Sequence, residues 1–164
     1  MDTNHSLGTD VPLYDRDFHE WCGEQAARLR ERAQSGVNDG LDYENLAEEI
    51  ESLGRADKNA IRSHIVNLLM HLLKWQFQPK RRGQSWRTSI TNARAEISYL
   101  LEDSPSLRHT FAQTIDRAYP IAMRNAAVET KLRPEVFPAD CSFTPEQLLD
   151  DDFFPDNLDG PAST

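Results

Sequence analysis

The stretch that decides the fold is "HIVNLLMHLLKWQFQPKRRGQSW", residues 64–86. Taken at 100° per residue from His64, Ile65, Leu68, Leu69, Leu72, Leu73 and Trp75 span an arc of roughly 160°, and Val66, Met70 and Phe77 widen it to about 220°. A helix on the surface of a bundle needs a narrower stripe, so this one must be covered nearly all round. Pro79 stops it, because the residue before a proline is pushed out of helical geometry. The helix is expected over about Ala56 to Gln78. Three cations in a row and a second tryptophan come next.

To either side the pattern stays helical. "DRDFHEWCGEQAARLRERAQSG" reads as a helix capped by Asp15 and ended by Gly36. Asp42 caps "YENLAEEIESLG", with Leu46, Ile50 and Leu53 on one face and Gly54 as a stop or bend. Ser85 is expected to cap a helix whose inner face carries Trp86, Ile90, Ala93, Ile97, Leu100 and Leu101. Ser104 and Pro105 open a fifth, which Pro120 kinks or splits. After residue 130 the chain turns Pro-rich, with a short helix over "TPEQLLD" held by a Thr144–Gln147 capping box. Val136, Phe137, Phe143, Leu148, Phe153 and Phe154 are expected to anchor this arm on the bundle. Nothing alternates as a strand. The expected architecture is all-α: a bundle of about five helices with a wrapped, Pro-rich C-terminal arm. Residues 1–14 read as a flexible N-terminus, 15–155 as a single domain with 131–155 as its arm, and 156–164 as a flexible tail.

With the helices placed, a resemblance appears. "LDYENLAEEIESLGRADKNAIRSHIVNLLMHLLKWQFQPKRRGQSWRTSITNARAEISYLLEDSPSL" and "ETKLRPEVFPADCSFTPEQLLDDDFFP" are similar to a bacterial family known as domain of unknown function family 29. The specific blocks are "NLAEEIESLG", "HLLKWQFQP", "SW" and "SPSL", and the likeness runs from about Tyr14 to Pro155. It implies an all-helical bundle in a bacterium. It brings no activity and no catalytic residues.

Charge narrows the function. The chain of 164 residues has a net charge of -9, distributed in blocks. Met1–Asp57 holds 14 acids and 5 bases, Lys58–Ala95 holds 8 bases and no acid, and Glu96–Thr164 holds 13 acids and 5 bases. An acidic protein is a poor general nucleic-acid binder, since that affinity comes from neutralising phosphates. The block pattern is read as a basic helical segment whose charges meet acidic neighbours. No membrane span or secretory leader is present in the sequence, and Cys22 and Cys141 make no disulfide framework, so a reducing cytoplasm is expected.

Two groups of residues are candidates for a site. Lys74, Trp75, Lys80, Arg81, Arg82, Trp86 and Arg87 interleave cations with aromatics. This suits an acidic protein partner, and as an alternative single-stranded nucleic acid, whose bases stack on tryptophan. The second group assumes a hairpin at Gly54–Ala56, which sets Glu48 opposite His64 and Glu44 opposite Asn67. Glu48, Glu51 and His64, with His71 behind, would then be the material of a divalent-metal hydrolase site. His64 and His71 lie two turns apart, about 10 Å, too far to share one metal directly. They are read as edge-of-core histidines, and the carboxylates Glu44, Glu48 and Glu51 as facing solvent or pairing with Lys58, Arg62 and Arg94. The expectation is a monomeric, non-enzymatic interaction or regulatory protein that contacts an unidentified acidic partner through residues 74–87. No cofactor is expected, and a divalent metal enters only with the hydrolase reading.

Overall fold

Asp42 accepts a hydrogen bond from Asn45 N at 3.2 Å and starts the helix that organises the structure. The computed structural model describes residues 11–156, so the expected tail over 157–164 and the first ten residues lie outside it. The α-helices are α1 (Leu13–Arg16), α2 (Phe18–Gln34), α3 (Tyr43–Phe77), α4 (Gln84–Asp103), α5 (Phe111–Thr130) and α6 (Pro145–Leu149). Short 3-10 turns occupy Pro79–Arg81, Pro105–Thr110 and Pro134–Val136, and there is no strand among the described residues.

The main departure from the sequence expectation lies in α3. The two helices expected on either side of Gly54 are one rod of 35 residues, about 50 Å long. Glycine inside a helix costs about 1 kcal/mol relative to alanine, too little to break a rod packed on both sides. Gly54 is buried because α2 crosses there: a Cβ at this position would sit 3.1 Å from Cys22 Cβ. His19 Nδ1 lies 2.9 Å from Gly54 O and ties the crossing. Gly54 is therefore a contact point between two helices, and no hairpin forms at it.

The rod gives the protein two ends. Along its first half α3 pairs with α2 through Cys22, Ala26, Ala47 and Gly54. Its second half is wrapped by α4, α5 and the arm, with Ile65, Leu68, Leu69, Leu72 and Leu73 at 0% exposure, as the wide apolar arc requires. Ile90, Ile97 and Leu101 of α4 and Phe111, Ile115, Ala118 and Tyr119 of α5 complete that core. Phe137, Phe143 and Leu148 of the arm are buried in it, and Phe153 and Phe154 pack against it. Val136 does not anchor the arm: it is 47% exposed, on the outside of its 3-10 turn.

Several expected caps are replaced. Asp17, not Asp15, caps α2, accepting from Glu20 N at 2.8 Å; Asp15 lies within α1, where Tyr14 sets its ring edge-on to Phe18 and Trp21. The chain is thus ordered from before Tyr14, earlier than expected. Asp17 is 4% exposed and also accepts from Ser106 N at 2.6 Å and Ser106 Oγ at 2.9 Å, so one carboxylate joins the start of α2 to the Pro105–Thr110 turn. Ser104, read as the cap of its own helix, instead bonds across: its Oγ accepts from His19 N at 3.0 Å and donates to Asp57 Oδ2 at 3.3 Å. Gly83 stands at the N-cap of α4 in place of Ser85. Pro120 neither splits nor ends α5; it is exposed, so water can satisfy the carbonyl its missing N–H leaves free, while Ala118, Tyr119 and Ala122 hold the helix to the core. The Thr144–Gln147 capping box forms as read.

Candidate functional site

The basic segment is built mostly inward. Lys74 is buried, its ammonium ion-paired with Glu129 of α5 and set 4.8 Å from the centre of the Trp86 ring. Trp75 is buried against Phe154 of the arm. Arg82 Nε donates to Trp75 O at 2.8 Å, and its guanidinium lies 5.1 Å from the Trp75 ring centre. The guanidinium of Arg87 covers the Phe154 and Trp75 rings, at 4.6 and 5.3 Å. A partly solvated cation over an aromatic face gains roughly 0.5–1 kcal/mol, so Arg82 and Arg87 help fasten the arm to the end of α3. Trp86 is half-buried between them. Of the seven candidates only Lys80 and Arg81 are exposed with no such internal use among the described residues.

Their surroundings form a small corner. A cavity of about 340 Å³ opens between the end of α3 and the turn after it, lined by Phe77, Gln78, Pro79, Lys80 and Arg81. Phe77 stacks edge-on to Phe137 at 5.0 Å, so its position is set by the arm. The corner thus presents an apolar floor with two cations at its rim.

The residue that sequence reasoning misplaced most is Arg94. The sequence offers it as one partner for Glu44, Glu48 and Glu51, yet it is 1% exposed. Its guanidinium donates to four arm carbonyls: Leu148 at 3.0 Å, Gln147 at 3.2 Å, Phe153 at 2.7 Å and Asp151 at 3.4 Å. It therefore caps the C-terminus of α6 and gathers the chain after it. The signal was in the pattern: Arg94 lies four residues after Ile90 and three before Ile97, on the buried face of α4. The expectation that the basic segment answers acidic neighbours fails with it. Lys74 pairs with Glu129, while Arg94, Arg82 and Arg87 reach carbonyl oxygens and rings, which a chain arriving as irregular arm supplies in excess.

The hydrolase geometry is not assembled. With α3 continuous, Glu48 and His64 are sixteen residues apart, about 24 Å along the axis. Glu51 pairs with Arg30 of α2 at 2.6 Å and with Arg55, which holds its carboxyl below the usual range; Lys58, Arg62 and Arg94 are not its partners. Glu44 and Glu48 are exposed. His71 Nδ1 lies 2.9 Å from Asn67 O, the edge-of-core arrangement expected of it, and burial pushes its pKa down. His64 is half-buried. No group of three or more His, Cys, Asp or Glu side chains gathers to hold a metal among the described residues. Cys22 is buried as a small apolar residue and Cys141 is half-buried, with burial raising both thiol pKa values.

A larger cleft, about 600 Å³, was not foreseen. It lies where α2 meets the Pro105–Thr110 turn, lined by His19, Glu20 and Lys58 together with His109 and Ser106. Opposite charges share its walls, and its buried acid, Asp17, already accepts three hydrogen bonds. It is a polar seam between the two ends of the protein.

These features define an all-α protein in which a long central helix carries a two-helix hairpin at one end and an arm-clamped bundle at the other. The family described as Domain of unknown function DUF29 matches residues 13–154, and the chain belongs to that family. Among solved structures, an α-helical protein of unknown function from Rhodospirillum rubrum is similar to it, 25% identical with a TM-score of 0.66 over 87% of this chain and 92% of that one. No curated protein matches. Neither the family nor the neighbour carries an assigned function. No helix among the described residues is long and apolar enough to cross a membrane.

Proposed function

We propose that the protein is a non-enzymatic interaction module of the bacterial cytoplasm, which receives an acidic segment of a protein partner at the corner formed by Phe77, Pro79, Lys80 and Arg81. The carrying observation is the division of labour within the basic segment. Lys74 is taken up by Glu129 of α5, and Arg82 and Arg87 by the arm and Trp75, while Lys80 and Arg81 stand exposed beside a small apolar cavity. An apolar floor with a cationic rim suits a peptide that offers one leucine or phenylalanine among glutamates. Two exposed cations are too few to track a nucleic-acid backbone.

The test is a fluorescence titration with a labelled peptide of that composition, run beside a single-stranded oligonucleotide of equal charge. Peptide binding that weakens about tenfold or more in Lys80→Gln/Arg81→Gln, at unchanged melting temperature, supports the reading. Unaltered binding in that variant, no peptide binding, or tighter binding of the oligonucleotide overturns it. The double change is expected to leave stability within about 0.5 kcal/mol, because exposed charges contribute little.

A further inference from the structure

The α2–α3 hairpin has two unlike flanks. On one, Arg30 of α2 bonds Glu51 of α3, and Arg55 joins them. On the other, by helical position at about 100° per residue, fall Trp21 and Leu29 of α2, on the side of Cys22 away from Arg30, and Leu46, Ile50 and Leu53 of α3, on the side of Gly54 away from Glu51. Those α3 positions recur at four and three residues, one stripe of the helix. The sequence puts these three on one face of a helix, and in the fold Leu46 is 41% and Leu53 52% exposed, while Trp21, Leu29 and Ile50 are half-buried. The pairing face of α3 is a neighbouring stripe, Ala47 and Gly54, where small residues let α2 approach. Beyond α3, α2 packs chiefly on α1 and the Pro105–Thr110 turn, and α4 and α5 wrap the other half of α3. The apolar flank is therefore left open. α4, α5 and the arm cover the second half of α3, while its first half meets α2.

We propose that this flank is a self-association surface on which a second copy of the chain packs, hairpin against hairpin, to complete a four-helix bundle. An antiparallel helix pair with an apolar side is half of such a bundle. The charges bordering the flank select the occupant. Arg32 and Arg28 border it on α2, Arg28 also holding Glu24, and Glu49 borders it on α3. A two-fold interface must be complementary to itself. Laying α2 of one copy along α3 of the other sets Arg32 and Arg28 against Glu49 of the second copy, which meets that condition. The surface is separate from the Phe77–Arg81 corner, so this inference stands independently of the acidic-partner reading.

Sedimentation equilibrium on the full chain tests it. A mass of two chains of 18.7 kDa, dissociating on dilution, is expected. Leu46→Glu/Leu53→Glu should return a single-chain mass with an unchanged helical circular dichroism signal, since both side chains already meet solvent within one chain. Arg32→Glu and Glu49→Arg should each weaken association, and together restore it. A single-chain mass for the wild type across micromolar concentrations overturns the proposal. So does a two-chain mass that survives Leu46→Glu/Leu53→Glu, or a mass that keeps growing with concentration, which would mean an open chain of contacts.

Discussion

Asp57 and His71 sit on the same helix, and in each case burial opposes the charged form. Desolvation raises the Asp57 carboxyl above its ordinary value, with the Ser104 hydroxyl pulling the other way and Asp103 adding to the rise. A carboxyl with a raised folded pKa lends stability below its unfolded value, about 3.8, and that stability is lost as pH rises through the folded pKa. At neutral pH the charge on Asp57 is a cost. Asp57→Asn keeps an oxygen for Ser104 and removes that charge, so thermal melts should show the variant more stable than wild type at pH 7 and level with it near about pH 3. An unchanged difference at both pH values would mean that the gain comes from something other than ionisation. His71 acts in another window: its lowered pKa favours the neutral ring, so its contribution is present above about 6.5 and is lost as pH falls below that.

Helix α3 shows how far one element's course depends on its neighbours. Gly54 offers the chain a break, and an isolated peptide would fray there. In the fold, the missing side chain is what lets α2 settle with Cys22 Cβ 3.1 Å from the site a Cβ would occupy, closer than ordinary van der Waals contact. Gly54→Leu improves helix propensity by about 1 kcal/mol, yet its side chain must displace α2, which overpacking typically charges at about 1–3 kcal/mol or more. Net destabilisation is expected, with hydrogen exchange rising first in the amides of α2. A variant as stable as wild type, or more so, would show that Gly54 is tolerated rather than needed. Leu69, by contrast, was readable from the wheel alone, because the core it enters lies on every side and no choice of stripe arises.

The bundle end closes over its own C-terminal arm. Phe137, Phe143 and Leu148 belong to the same buried cluster as Leu68 and Ile97, so arm and bundle should melt together. Arg94 is the chief polar tie between them. Arg94→Lys keeps the charge but loses the planar fork that reaches four carbonyls, and an expected cost of about 2–4 kcal/mol follows from the unpaired groups left behind. Lower melting temperature in a single transition, with faster tryptic cleavage after the exposed Lys131, is the expected outcome. A melt that splits in two would show the arm to be an independent unit.

Helix content, the buried apolar arc of residues 65–77, the Asp42 cap, the Thr144–Gln147 capping box and the family resemblance were legible in the residues, because each depends on neighbours within a few positions. The rest turned on distances across the fold. Whether Gly54 bends the chain, whether Leu46 faces core or solvent, and whether Arg94 meets a carboxylate or four carbonyls are settled by which element arrives alongside. A local pattern names the faces a helix has; it does not say which face a partner will take. The hairpin that the metal reading assumed is absent because α3 runs on through Gly54, and Arg82 and Arg87 of the basic segment meet an arm some seventy residues further along the chain.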